Sequence, residues 1–140
     1  MSNNGSRAFR GFITLLQSQK NWLHERVAAF DLTPQLFHAL HVLSEYPDPS
    51  MREFSERMFC DASNATGLVD RLEQRGLAER RVSDNDRRAK IVHLTAAGTR
   101  LFKKVEDSVW IDAPPAIAKL SAADQRALRE IIERALSNVD

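Results

Sequence analysis

The stretch that decides the fold runs from Ser50 to Thr95 and reads SMREFSERMFCDASNATGLVDRLEQRGLAERRVSDNDRRAKIVHLT. It begins with Ser50 and Glu53, the spacing of a capping box, in which the serine hydroxyl accepts a hydrogen bond from the third helical N–H and the glutamate reaches back. Asp61 can cap a second helix, and Gly76 is typical of a left-handed helix stop. The stretch therefore predicts two short helices joined by a tight turn.

The second helix has two distinct faces. Ala65, Leu68, Val69 and Leu72 follow the i, i+3, i+4, i+7 spacing of a buried stripe. The opposite face and first turn carry small or polar residues: Ala62, Ser63, Asn64, Thr66 and Gly67.

A β-hairpin follows the second helix. Ala78–Val82 and Lys90–Leu94 are short β-compatible runs, and Ser83-Asp84-Asn85-Asp86 between them is turn chemistry. Arg87, Arg88 and Lys90 then fall at or near the hairpin tip. Helix, turn, helix and hairpin in this order predict a winged helix-turn-helix, a unit that places its second helix in the major groove of DNA.

The small polar face suits base recognition. Asn64 can pair with adenine N6 and N7, Ser63 and Thr66 can bond several base edges, and Ala62 or the Thr66 methyl can pack on a thymine methyl. Gly67 allows a close backbone approach. Four arginines are candidate phosphate contacts, which position a protein without reading sequence: Arg71, Arg75, Arg80 and Arg81.

Charge is unevenly distributed along the chain of 140 residues, whose formal net charge is +1. From Arg71 to Lys104 ten Lys or Arg face four Asp or Glu, a balance of +6, whereas the remainder carries ten against fifteen, or −5. This asymmetry favours one surface that faces a polyanion, and a solvated charged face is the open alternative.

Composition predicts a soluble, globular, cytoplasmic protein. No apolar run approaches the roughly 20 residues of a membrane span, and the first residues lack a signal-peptide pattern. The single cysteine, Cys60, precludes an internal disulfide and suits a reducing compartment. A DNA-binding role would place the protein on the nucleoid.

Amphipathic helices flank the central stretch. Apolar spacing predicts a long helix from about Ser6 to Phe30, which can bury its stripe against a partner chain or against the chain's other end. Further helices are expected after caps at Thr33, at Thr95 (through about Asp112) and at Ser121. The fold is thus predicted as mainly α with a small β-hairpin wing and about six helices. It divides into a dimerisation helix (1–32), a DNA-binding domain (33–95) and dimerisation helices (96–140).

Two segments resemble the MarR family of transcriptional regulators: LVDRLEQRGLAERR at Leu68–Arg81 and DRRAKIVHLTAAG at Asp86–Gly98. The resemblance implies a homodimer with interlocked end helices, a recognition helix in the major groove and wing tips in the minor groove of a roughly two-fold symmetric operator. It also implies that Asp86 orients Arg88, that Arg88 enters the minor groove, and that the neighbouring Arg87 contacts phosphate.

The chain departs from the family pattern at Ala62 and Gly67, where many relatives carry a long basic side chain. An arginine–guanine contact from this helix is therefore not expected. Readout should rest on Asn64, on methyl contacts and on DNA shape.

The resemblance also places an effector cavity near six residues: Trp22, Arg26, Phe37, His38, His41 and Phe102. An aromatic-lined cavity with Arg or His suits a small aromatic acid. Plain core and interface packing is the alternative.

Other functional patterns are weak. His38 and His41 share a helix face, but two histidines without a cysteine or carboxylate set do not predict a metal site. Cys60 falls in the helix-turn-helix turn and is expected to pack as a small apolar residue rather than sense oxidants. No motif of a phosphate loop, metalloprotease or nucleophile elbow is present, so neither an enzyme nor a bound cofactor is predicted. The alternative function is a winged helix that docks proteins or binds DNA without sequence preference.

Overall fold

The computed structural model describes residues 3–139 as a mainly helical protein with one two-stranded sheet, as predicted. The elements are α1 (Asn4–Ser18), α2 (Lys20–Ala28), α3 (Pro34–Glu45), α4 (Met51–Arg57), α5 (Ala62–Gln74), β1 (Ala78–Val82), β2 (Lys90–Leu94), α6 (Ala96–Val109), α7 (Pro115–Ala118) and α8 (Ala122–Leu136). They form two compact units: Leu23–Val109, here called the central unit, and residues 3–22 with 110–139, here called the terminal unit.

The central unit contains a continuous apolar core. Phe54, Leu40, Leu68, Val69 and Leu72 are fully or almost fully buried, and they come from α3, α4 and α5. The helices start where their caps predict. Thr33 accepts a hydrogen bond from the Leu36 N–H at the start of α3, directly before Pro34.

The hairpin is antiparallel, and its strands have the predicted bounds. Ala78 lies opposite Leu94 and Val82 opposite Lys90. The loop before α4 extends this sheet, because the Val92 N–H donates to the Pro49 carbonyl at 2.8 Å and Ser50 bridges to Ile91. The wing is thereby joined to the beginning of the helix-turn-helix.

Gly98 fixes the distance between α6 and the segment that leads into β1. A Cβ atom at this position would lie 2.1 Å from the Leu77 carbonyl oxygen, closer than any real contact. Thr95 caps this helix by accepting from the Gly98 N–H, and the helix ends at Val109 rather than near Asp112. A side chain at position 98 would therefore force α6 away from the hairpin.

The terminal unit lacks a core of its own: none of its described residues is buried. Residues of α1 and α8 together line an apolar cavity of about 580 Å³ that includes Phe9, Phe12, Ile131, Ile132 and Leu136. Phe9 remains 65% exposed and Leu136 63%. Both chain ends thus contribute to one open apolar groove.

The prediction of one helix from Ser6 to Phe30 is wrong. The helix is interrupted at Gln19 (φ −99°, ψ 6°), whose N–H is shared between the carbonyls of Leu15 and Leu16. The Ser18 hydroxyl donates to the Leu15 carbonyl and competes with helical hydrogen bonding. Within the described residues, this break and the short α7 raise the number of helical segments from about six to eight.

Candidate nucleic-acid interface

The helix-turn-helix is held by its two predicted caps. Ser50 accepts from the Glu53 N–H at 3.1 Å at the start of α4, and Asp61 accepts from the Asn64 N–H at 2.8 Å at the start of α5. The α5 helix ends where Gly76 adopts a positive φ of 68°. These short-range interactions fix the length and direction of α5.

The predicted base-facing residues of α5 lie on its accessible side. Ala62, Ser63, Asn64 and Thr66 are exposed, and Gly67 is half-buried. Within residues 3–139 the side-chain amide of Asn64 has no hydrogen-bond partner, so its donor and acceptor are both available. The Thr66 hydroxyl donates to the Ala62 carbonyl at 2.8 Å, so part of its hydrogen-bonding capacity is used within the helix.

Gly67 is not required by the packing of the chain. A Cβ atom built there would meet nothing within 4 Å. The absent side chain therefore leaves an open position on the outer face of α5.

Arg80 joins the wing to α5. Its guanidinium donates to Asp70 at 2.8 Å and to Glu73 at 2.7 Å, and its backbone N–H also donates to Glu73. Partial burial alone would lower the pKa of Arg80, but the hydrogen bonds to Asp70 and Glu73 raise it. The arginine is thus a fixed link between β1 and α5, an arrangement that does not favour its predicted role as a phosphate contact.

The remaining predicted phosphate contacts differ in whether their side chains already have partners. Arg75 donates to the carbonyls of Phe30 and Asp31 and so holds the loop before α3. Arg81 pairs with Glu79 on the surface. Arg71 is exposed and has no ion-pair partner in the described part of the chain.

The wing tip is ordered by its own backbone and by Asp86. The Asp86 carboxylate accepts from the Arg88 N–H at 2.9 Å, and Ser83 N–H donates to the Ala89 carbonyl. Asp86 therefore contacts the backbone of Arg88 and leaves its guanidinium free. The side chains of Arg87, Arg88 and Lys90 are exposed, and none has an ion-pair partner within residues 3–139.

Phe59 carries no functional signal in the sequence, yet it is the most unusual residue of the helix-turn-helix. Its backbone has a positive φ of 52°, a region that bulky residues rarely occupy, and its side chain is 93% exposed. The only indication in the sequence is that a bulky residue stands in the turn between the two predicted helices.

Most of the residues predicted to line an effector cavity form one aromatic cluster in the central unit. The rings of Phe37 and His41 each lie 5.8 Å from that of Phe102, and His38 stacks on His41 at 6.3 Å. Burial, and secondarily the neighbouring His41, lower the pKa of His38. His41 also pairs with Glu45 at 3.1 Å.

Arg26 and Trp22 are the other two members of that set. The Arg26 guanidinium donates to the Ser108 carbonyl at 3.3 Å. Trp22 belongs to the terminal unit. Their membership of an effector cavity stays a prediction.

Cys60 is half-buried in the turn, and its carbonyl accepts from the Ser55 hydroxyl at 2.7 Å. From residue 3 to residue 139 no group of three or more His, Cys, Asp or Glu side chains could hold a metal ion. Across the same span, every helix is too short or too polar to cross a membrane.

Comparison with known proteins places this arrangement in a family. The sequence profile of the MarR family matches residues 32–90. An uncharacterised HTH-type transcriptional regulator of Bacillus subtilis, YfiV, is 30% identical over 111 residues, which cover 77% of this chain and 69% of the relative. The transcriptional repressor MprA of Escherichia coli is 31% identical over 119 residues, covering 84% of this chain and 68% of the relative.

The fold has a close structural match as well. The crystal structure of apo MarR from Escherichia coli superimposes with a TM-score of 0.85 at 23% identity, covering 97% of this chain and 98% of that one. At this identity the match concerns the fold alone.

Proposed function

The chain belongs to the MarR family of DNA-binding transcriptional regulators, and from that premise we propose that it binds a pseudo-palindromic operator as a homodimer and represses transcription. It would act in the cytoplasm, on the nucleoid. A small aromatic acid would be the releasing ligand. The observation that carries the proposal is the accessible face of α5, held by Arg80 at a fixed position beside a basic wing tip.

Base readout is assigned to the N-terminal half of α5. Asn64 has a free amide, the group that pairs with adenine N6 and N7 in the major groove. Ser63 adds a donor and acceptor, and Ala62 with the Thr66 methyl offers apolar contact to thymine. The open space at Gly67 supports a close approach between the helix backbone and the DNA.

Backbone contacts are assigned to the basic residues around this helix. Arg88 is the candidate for the minor groove, where the potential of narrow DNA is most negative. Arg71, Arg81, Arg87 and Lys90 are candidates for phosphate contacts, which set register without reading sequence. Asp86 orders the tip through the Arg88 backbone and leaves the arginine side chain free.

The homodimer is supported by the open apolar groove of the terminal unit. Phe9, Phe12 and Leu136 are large side chains that stay exposed in a single chain. Apolar burial of about 25 cal/mol per Å² favours covering such a surface. A second copy presents the same groove and needs no further partner, as expected for an isologous interface.

The repressor role and the ligand have separate support. MprA, a relative at 31% identity, is a transcriptional repressor. The aromatic cluster of Phe37, His38, His41 and Phe102 brings together rings and imidazole groups, the kinds of side chain that suit a small aromatic acid. Such a ligand would act through differential affinity for two spacings of the recognition helices.

The test is a binding selection from a random duplex DNA pool, followed by sequencing. We expect an inverted repeat with half-sites about one helical turn apart. Enrichment of no sequence would indicate an architectural DNA binder, and failure to retain DNA at low salt would leave a protein-docking module.

Variants then distinguish base readout from backbone contacts on the selected operator. Asn64→Ala should cost about 1–3 kcal/mol and relax preference at one position per half-site. Arg88→Ala should weaken binding and reduce the salt slope by about one contact. Arg126→Ala, an exposed arginine of α8, is the control and should change neither quantity. Unchanged sequence preference in Asn64→Ala would contradict the assignment.

A further inference from the structure

We infer that Phe59 is an additional DNA-contacting residue, whose ring packs on carbon surface of the DNA at the edge of the groove that receives α5. The inference rests on the proposed operator binding and adds a contact outside the base-facing residues of α5. The complementary surface is a deoxyribose or a thymine methyl group.

The backbone of Phe59 is strained, and packing of its side chain does not compensate for the strain. Its φ of 52° lies in the left-handed region, where a phenylalanine is a true outlier. Such strain persists in folded proteins mainly where function requires it. The ring is 93% exposed, whereas the adjacent Met58 is 7% exposed, so the chain gains almost no burial from the phenylalanine.

The turn that presents this ring is held on both sides. The Phe59 N–H donates to the Glu56 carbonyl at 3.1 Å, and the Cys60 N–H donates to the Ser55 carbonyl at 3.2 Å. The Ser55 hydroxyl returns a hydrogen bond to the Cys60 carbonyl at 2.7 Å. The backbone under the ring is therefore defined before any ligand binds.

Position along the chain places Phe59 close to the predicted base-facing residues of α5. Phe59 precedes the first helical residue of α5, Ala62, by three positions. Because consecutive Cα atoms are about 3.8 Å apart, the two Cα atoms lie within roughly 11 Å. The major groove is about 12 Å wide, so a turn at the end of a helix inserted there lies beside one groove wall.

The chemistry of the turn favours carbon over phosphate oxygen as the contact. Phe59 is neutral, and the neighbouring Asp61 carboxylate is occupied with the Asn64 N–H at the start of α5. An aromatic ring against sugar or thymine methyl removes apolar surface from water on both sides. Phe59 thus suits the groove wall, while the wing supplies positive charge.

The experiment compares wild type, Phe59→Gly and Phe59→Leu on the operator recovered by selection. Phe59→Gly should raise the melting temperature, since glycine adopts positive φ freely, while binding weakens about tenfold. Phe59→Leu should stay within about threefold of wild type because it retains apolar contact. The salt slope should not change in either variant, because no charge is lost.

Asp31→Gly is the matched control, because Asp31 is another non-glycine residue with positive φ, at 56°. It should also raise the melting temperature but leave DNA affinity intact. Uracil in place of thymine identifies the contact, because the thymine contacts proposed for Ala62 and Thr66 are common to wild type and Phe59→Gly. A larger loss of affinity for wild type than for Phe59→Gly indicates a methyl group, and an equal loss, together with weak Phe59→Gly binding, indicates the sugar.

Equal operator affinity for wild type and Phe59→Gly would overturn the inference. If Phe59→Gly bound the operator as tightly as wild type but no longer repressed transcription in a purified assay, the result would indicate that Phe59 contacts the transcription machinery instead of the DNA. Failure of wild type to retain any duplex would overturn the proposed function, and this inference with it. The wild-type measurement alone distinguishes that case.

Discussion

The central unit buries many of its apolar residues, whereas the terminal unit leaves its apolar residues unburied. Every buried apolar residue of the described chain lies between Val27 and Val109, in the central unit. The terminal unit has amphipathic α1 and α8, yet Phe9, Leu16 and Leu136 stay more than half exposed. An amphipathic stripe therefore indicates that a surface will be covered, but not by which chain.

This difference separates two kinds of stability. The central unit has its own core, so its folding is expected to depend on internal packing. The terminal unit has an open groove, so its stability is expected to depend on protein concentration through dimer formation. The predictions below perturb one unit and ask whether the other responds.

The largest effect is expected from a charge in the terminal groove. Ile132→Asp would place an unpaired carboxylate in the proposed dimer interface, at a cost of several kcal/mol. The dimer dissociation constant should rise at least about 100-fold, as measured by sedimentation equilibrium.

The control is Arg126→Asp, which introduces the same side chain on α8 outside the groove-lining set and should leave the dimer intact. The circular dichroism of both variants should retain at least the helical signal of the central unit. A dimeric Ile132→Asp protein would show that the groove is not the interface.

The next effect is expected in the central unit at Gly98. Gly98→Ala would place a methyl group 2.1 Å from the Leu77 carbonyl oxygen, so α6 and the segment before β1 must separate. We expect a loss of about 1–3 kcal/mol in the free energy of unfolding, measured by urea denaturation. Gly67→Ala is the matched control, since a methyl group there meets nothing. Equal stability for Gly98→Ala and wild type would show that this contact relaxes without cost.

Gly67→Ala itself should separate stability from DNA binding. Alanine is favoured over glycine in a helix interior by about 1 kcal/mol, so the variant should be more stable than wild type. If the DNA approaches the α5 backbone closely, operator affinity should fall about tenfold in a fluorescence anisotropy titration. Unchanged affinity would remove Gly67 from the interface.

The smallest effect is expected from His38. Its lowered pKa, caused by burial and then by His41, means that the folded state prefers the neutral ring. Stability from this residue is present above the ordinary histidine pKa of about 6.5 and is lost as the pH falls through the lowered folded value. His38→Gln should thus flatten the decline in melting temperature below pH 6.5. A decline in His38→Gln parallel to that of wild type would exclude this residue as its source.

Local sequence signals predicted the wing and the helix-turn-helix well. The bounds of β1 and β2 follow from β-compatible runs on either side of turn residues, and Ser50, Asp61 and Gly76 mark helix ends through local hydrogen bonds and backbone preference. The break at Gln19 was missed because apolar residues on either side still fit one helical spacing. Periodicity does not register a local competitor such as the Ser18 hydroxyl.

The candidate site was predictable only in part. Helical periodicity identifies which side of α5 is accessible, so Ser63 and Asn64 could be singled out. The engagement of Arg80 by Asp70 and Glu73 depends on the hairpin folding back onto α5, which spacing along the chain does not reveal. The exposed ring of Phe59 likewise depends on a turn geometry that its residue type does not favour.

The pairing of the loop before α4 with β2 has a consequence for synthesis on the ribosome. Pro49 and Ser50 bond to Val92 and Ile91, partners about forty residues later in the chain. Contacts of this separation form only after the whole intervening segment is available. A nascent chain that has released α4 and α5 but not β2 therefore lacks the contacts that join the wing to the helix-turn-helix, and these contacts form only when the second wing strand emerges.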